Sequence, residues 1–122
     1  MAKIVVLEDD HTLLDLYRDV LERVEHDVYP ASTLQAVQDY FDRNTADIIL
    51  ADLRLGASTA EETIHMLKQI KNKHNVPVVL ISAQMMIYED MCRDAGFEHL
   101  LTKPFPNSVL IQIAEKVIGE DD

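Results

Sequence analysis

The chain has 122 residues, 48% of them hydrophobic, and carries 22 acidic against 11 basic side chains for a formal net charge of −11. That length supports one domain with a single core. The acidic balance argues against nucleic acid as a partner, since such binding rests on Lys and Arg at phosphates, and no apolar run approaches the roughly 20 residues that span a bilayer.

Met1-Ala2-Lys3 leads directly into a strand, with no signal-peptide pattern. The apolar run predicts a first strand over Lys3–Glu8. His11–Glu25 follows as a helix, with Leu13, Leu14, Leu16, Tyr17, Val20, Leu21 and Val24 at helical spacing. A short second strand covers Asp27–Tyr29 and ends at Pro30. Ser32 is the expected N-cap of the next helix, with Gln35 as its capping-box partner, and that helix reaches about Asn44. Asp47–Asp52 is the third strand, and Leu55–Thr59 a loop. Thr59–Lys73 is helical and gathers Lys68, Lys71 and Lys73 towards its C-terminus, where the helix dipole favours cations. Val76–Ser82 is the fourth strand. Met85–Ala95 is the fourth helix, closed by Gly96 as a C′ residue. Phe97–Thr102 is the fifth strand, and a last helix spans Asn107–Ile118, stopped by Gly119 ahead of a fraying Glu120-Asp121-Asp122. Strict strand–helix alternation with short loops predicts parallel strands, right-handed crossovers and helices on both faces. Cys92, the sole cysteine, excludes an internal disulfide and fits a reducing compartment, as a packed helix residue. The histidines (His11, His26, His65, His74, His99) are scattered and are assigned to surface or capping roles.

The chemistry gathers where the strands end. Ile48-Ile49-Leu50-Ala51 stops on Asp52, Ile4-Val5-Val6-Leu7 on Glu8-Asp9-Asp10, Val78-Val79-Leu80-Ile81 on Ser82, and Leu100-Leu101-Thr102 on Lys103. In an open α/β sheet, ligands bind outside the carboxyl ends of the strands. Singly, each residue is an ordinary cap or turn; together they outline one crevice. Carboxylates that crowded need a cation between them. Oxygen ligands suit Mg²⁺, held most directly by Asp9 and Asp52, and no His or Cys cluster has zinc spacing. Asp52 can then attack phosphorus to form an acyl phosphate, with Lys103 neutralising charge and the Ser82 hydroxyl donating to the phosphoryl oxygens. Gly56, Gly96 and Gly119, the three glycines, form neither a P-loop nor a dinucleotide fingerprint. A dehalogenase-type phosphatase would carry Asp-x-Asp after the first strand, and a flavodoxin a Ser/Thr-rich loop there; Glu8-Asp9-Asp10-His11 is neither.

At Val6-Leu7-Glu8-Asp9-Asp10, Ile49-Leu50-Ala51-Asp52-Leu53-Arg54, Val78-Val79-Leu80-Ile81-Ser82-Ala83 and Leu101-Thr102-Lys103-Pro104-Phe105 the chain resembles a response-regulator receiver domain of two-component signalling, of the CheY-like kind. The resemblance spans essentially the whole chain, so one receiver domain over residues 1–122 is expected, with no output domain in this chain. It implies an α/β flavodoxin-like (βα)5 sandwich with strand order 2-1-3-4-5. Asp52 resembles the phosphoacceptor, charged by the phosphohistidine of a histidine kinase or phosphotransfer protein. Asp9, Asp52 and the backbone carbonyl of Arg54 resemble the Mg²⁺ ligands, with Glu8 reaching the metal through water. Ser82 and Lys103 resemble the switch hydroxyl and the phosphate-binding lysine, and the Lys103–Pro104 bond is expected cis.

The implied protein is cytoplasmic and catalyses only its own phosphorylation and dephosphorylation. It signals to a protein target through the fourth helix, fifth strand and fifth helix. Three departures stand out: Gly56 and Ala60 replace the usual loop Pro and later Gly, Leu100 stands at the aromatic switch position, and Arg54 and Gln84 occupy the two variable positions near the acceptor. Without a ring at Leu100, switching is expected to run through Ser82, Lys103 and the loop before the fourth helix, with Met85 and Met86 as an adaptable apolar surface. A Mg²⁺-dependent phosphohydrolase on the same fold is the rival reading; it would turn over substrate where a receiver holds phosphate on Asp52.

Overall fold

In the computed structural model, which describes residues 2–121, five strands alternate with five helices. The strands are β1 (Lys3–Leu7), β2 (Asp27–Ala31), β3 (Ile48–Asp52), β4 (Val78–Ser82) and β5 (His99–Thr102). The helices are α1 (His11–Arg23), α2 (Leu34–Phe41), α3 (Ala60–His74), α4 (Met85–Asp94) and α5 (Asn107–Asp121). All strand pairs are parallel, in the order 2-1-3-4-5.

Side-chain alternation along each strand assigns the two faces of the sheet. Val5, Leu7, Ile49, Ala51, Val78 and Leu80 pack against α2, α3 and α4 through Val37, Leu67 and Cys92. Ile4, Val6, Ile48, Leu50, Val79 and Ile81 pack against α1 and α5 through Leu14, Leu21, Leu110 and Val117. Every residue of β3 and β4 is buried, which explains why these strands read as continuous apolar runs. The register sets Leu7 opposite Ala51, Asp52 opposite Ile81 and Ser82 opposite Thr102. The polar residues that end β1, β3, β4 and β5 therefore come level at one rim.

Several local expectations shift. β2 continues through Pro30 to Ala31, because β2 is an edge strand and a missing N–H leaves no second neighbour unpaired. Thr33, not Ser32, caps α2: its hydroxyl accepts from the Ala36 N–H at 3.1 Å, while Gln35 donates to Asp39 instead of closing a capping box. α2 ends at Phe41 rather than Asn44, since the amides of Arg43 and Asn44 fold back onto the Tyr40 carbonyl. The capping box sits at α3, where Thr59 and Glu62 exchange bonds of 3.0 and 3.1 Å. Leu16 and Val24, counted in the apolar stripe of α1, face solvent. Gly96 closes α4 at φ 95°, with the Phe97 N–H returning to the Cys92 carbonyl, and Cys92 is fully buried. α5 runs past Gly119 to Asp121; of the fraying expected at the C-terminus, the part on Asp122 lies outside the described residues, as does Met1. His26 is not a surface histidine. Its side chain is 8% exposed, its Nδ1 accepts from the Ala2 N–H, and its Nε2 meets Glu115 on α5 at 3.2 Å.

Candidate functional site

Asp52 is the last residue of β3 and is 4% exposed; Glu8, which follows β1, is 2% exposed. Two buried carboxylates at adjacent strand ends demand a counter-charge. Lys103 supplies it. Its Nζ donates to Glu8 Oε1 at 2.7 Å and also to Asp52 Oδ2. The chain is set for this by the end of β5, where the Lys103 N–H donates to the Ser82 carbonyl at 3.0 Å. The Lys103–Pro104 peptide is cis, as expected. Phe105 then stacks on Tyr17 of α1 at a centroid distance of 5.8 Å.

The second oxygen of Asp52, Oδ1, accepts from the Arg54 N–H at 2.7 Å. Ser82 is buried beside it at the end of β4, and its hydroxyl accepts from the Gln84 N–H at 3.0 Å. Asp9 is half-buried on the solvent side, where its Oδ2 accepts from the Gly56 N–H at 2.6 Å. Asp10 points away and caps α1 through the Leu13 N–H at 3.1 Å.

Burial raises the Glu8 carboxyl above its ordinary range, opposed by the Lys103 hydrogen bond and reinforced by the Asp52 charge. For Lys103, burial works against the ammonium, but the hydrogen bonds it donates to Asp52 and Glu8 outweigh that and hold the group well above the usual lysine value. The ammonium is therefore a permanent charge at neutral pH.

The donor set is made of hard oxygens: the Asp9 and Asp52 carboxylates, with the Arg54 carbonyl one peptide from the amide that grips Asp52. Among the described residues no three His, Cys, Asp or Glu side chains converge closely enough to hold a metal alone. Two carboxylates, a carbonyl and several waters are the sparse protein ligation that Mg²⁺ accepts, so the residues fit it.

The expected residues Asp9, Asp52, Ser82 and Lys103 thus meet at one rim. Glu8, expected to reach the metal through water, has a buried carboxylate that accepts from Lys103. The tie from Gly56 to Asp9 was not anticipated, and only the glycine's place four residues after Asp52 hinted at it.

The model of the response regulator receiver domain family matches residues 4–115. The chain belongs to this family. It is 26% identical over 119 residues to the sensory transduction protein BceR of Halalkalibacterium halodurans, covering 97% of this chain and 50% of that protein. The receiver thus spans about half the length of the curated relatives it matches. Its fold superposes on the Francisella response regulator 1452 receiver domain with TM-score 0.86 at 22% identity, covering 100% of both chains. The chemotaxis response regulator CheY4 of Vibrio cholerae gives 0.82 at 17% identity, covering 96% of this chain and 98% of that one. Receivers of this family generally bind Mg²⁺ and are generally signalling modules rather than enzymes. The phosphohydrolase reading gains no support from these relatives. No helix among the described residues is long and apolar enough to cross a membrane.

Proposed function

We propose that this receiver accepts a phosphoryl group on Asp52 from the phosphohistidine of a histidine kinase or phosphotransfer protein. The observation that carries this reading is the Lys103 ammonium held between the buried carboxylates of Glu8 and Asp52. An Asp52 oxygen forms the bond to phosphorus as the P–N bond of the donor breaks, and the electron pair leaves with the imidazole. Lys103 is already paired with an Asp52 oxygen, so it can follow the negative charge onto the arriving phosphoryl group. The Arg54 N–H keeps Asp52 oriented, and the Ser82 hydroxyl donates to a phosphoryl oxygen once it turns from its present contact. Asp9 and Asp52 with the Arg54 carbonyl would hold Mg²⁺, which when bound neutralises charge on the transferring group. Glu8 supports the site by fixing Lys103 and by contacting metal-bound water.

A cytoplasmic setting and a downstream protein target on α4, β5 and α5 complete the reading. Met86 is 95% exposed and Ile87 69%, which supports an apolar contact surface at the start of α4. Met85, expected to share that surface, is instead buried in the core below it. Incubation with Mg²⁺ and a small acyl-phosphate donor, read by intact mass, should add one phosphoryl group to the wild type and none to Asp52→Asn. Equal labelling of the variant would place the acceptor elsewhere, and catalytic turnover of the donor without retained phosphate would favour a hydrolase.

A further inference from the structure

We infer that the backbone N–H of Gly56 is a positioning group that aims Asp9 at the cation, an assignment resting on the Mg²⁺ reading above. The segment between β3 and α3 doubles back on itself, with Leu55 bridging Ser58 and the Ser58 N–H donating to the Leu55 carbonyl at 3.1 Å. This turn presents the Gly56 N–H to Asp9 Oδ2 at 2.6 Å, across 47 residues of sequence. A bond this short to a carboxylate is of the strong, charge-assisted kind. A Cβ built on residue 56 would stand 3.2 Å from the same oxygen, so a larger residue would push the carboxylate aside by a few tenths of an ångström.

The physical distinction from Lys103 is charge. The ammonium bonds Glu8 and Asp52 and partly cancels their attraction for a metal ion. The amide is neutral and takes only Oδ2 of Asp9. It restricts the carboxylate's orientation, leaves Oδ1 free, and leaves the negative charge intact for a cation. Among the described residues it is the one hydrogen-bond donor to the Asp9 side chain. A proline at this position, which the family resemblance leads one to expect, has no N–H to give. Groups that orient a metal's ligands from behind typically govern about 10–100-fold in metal affinity.

The test uses the whole chain. Calorimetric Mg²⁺ titration should show Gly56→Pro binding about tenfold more weakly than wild type. Gly56→Ala keeps the donor and should fall between the two. In the metal-free wild type the Gly56 amide should be protected from hydrogen exchange, and Asp9→Ala should remove that protection while leaving Leu50 unchanged; this arm needs no substitution in the turn. Gly56→Pro and Gly56→Ala weakened equally, or an unprotected Gly56 amide in the wild type, would overturn the role of the N–H. Asp9→Asn separates this from the wider reading. If it loses Mg²⁺ while Gly56→Pro binds like wild type, only the Gly56 assignment fails; if it binds Mg²⁺ like wild type, the metal lies elsewhere and both fail.

Discussion

Replacing Lys103 with Met tests the charge balance of the site without changing its volume greatly. The Lys103 side chain is 19% exposed, whereas those of Glu8 and Asp52 are 3% and 5% exposed. Removing one partner of a fully buried ion pair costs about 3–5 kcal/mol. Two features reduce that here. Asp52 keeps its bond from the Arg54 N–H, and Glu8, whose carboxyl burial already raises, can take up a proton. A loss of about 2–4 kcal/mol at neutral pH follows from the buried-pair range so discounted, or a fall in Tm of roughly 4 °C for each kcal/mol in a chain of this size.

The pH dependence has a definite sign. In the variant the folded-state pKa of Glu8 rises further above its unfolded value. A raised folded pKa contributes stability that is fully present below the unfolded value and is lost as pH rises through the folded one. The deficit against wild type should therefore be largest near neutrality and shrink on acidification towards about pH 4.5, the ordinary glutamate value. In the wild type, the Lys103 contribution is fully present from neutrality up to about pH 10.5 and is lost at stronger alkali. Urea unfolding followed by circular dichroism, without Mg²⁺, at several pH values measures the deficit. A cost under about 0.5 kcal/mol, the level of an exposed pair, or a deficit that grows on acidification, would refute this account of Lys103.

Other outcomes follow from single contacts. Turning the Ser82 hydroxyl to a phosphoryl group removes the acceptor of the Gln84 N–H at the start of α4, where no side chain caps the helix. Ser82→Ala should therefore suppress the change in hydrogen exchange that beryllofluoride induces over residues 85–94, and Leu100→Ala should retain most of it; the reverse pattern would reroute the switch through β5. Thr33→Ala should destabilise the fold by about 1 kcal/mol as a lost helix cap, with Ser32→Ala well below that, measured by urea unfolding.

Local order was legible in the residues themselves. Apolar runs of strand length alternating with amphipathic stretches announce a parallel α/β sheet, because burial on one stripe or on both faces leaves a periodic trace. The carboxyl-terminal positions of Asp52, Ser82 and Lys103 were visible for the same reason. The order 2-1-3-4-5 was not in that trace, since many orders satisfy short right-handed crossovers, and it came from the motif resemblance. Even boundaries drifted where neighbours decide them: Pro30 stays in β2 because that strand has an open edge, and Thr33 outcompetes Ser32 once Leu34, Val37 and Phe41 are turned into the core. Only the tertiary structure decided which charges touch. Glu8 is 95 residues from Lys103, Asp52 51 residues, and Gly56 47 residues from Asp9. Composition reveals an excess of acid, but which carboxylate receives an ammonium and which receives a neutral amide depends on strand register and the path of two loops. Met85 and Met86 make the same point: adjacent and chemically identical, one is buried and the other is 95% exposed, because the helix turns about 100° between them.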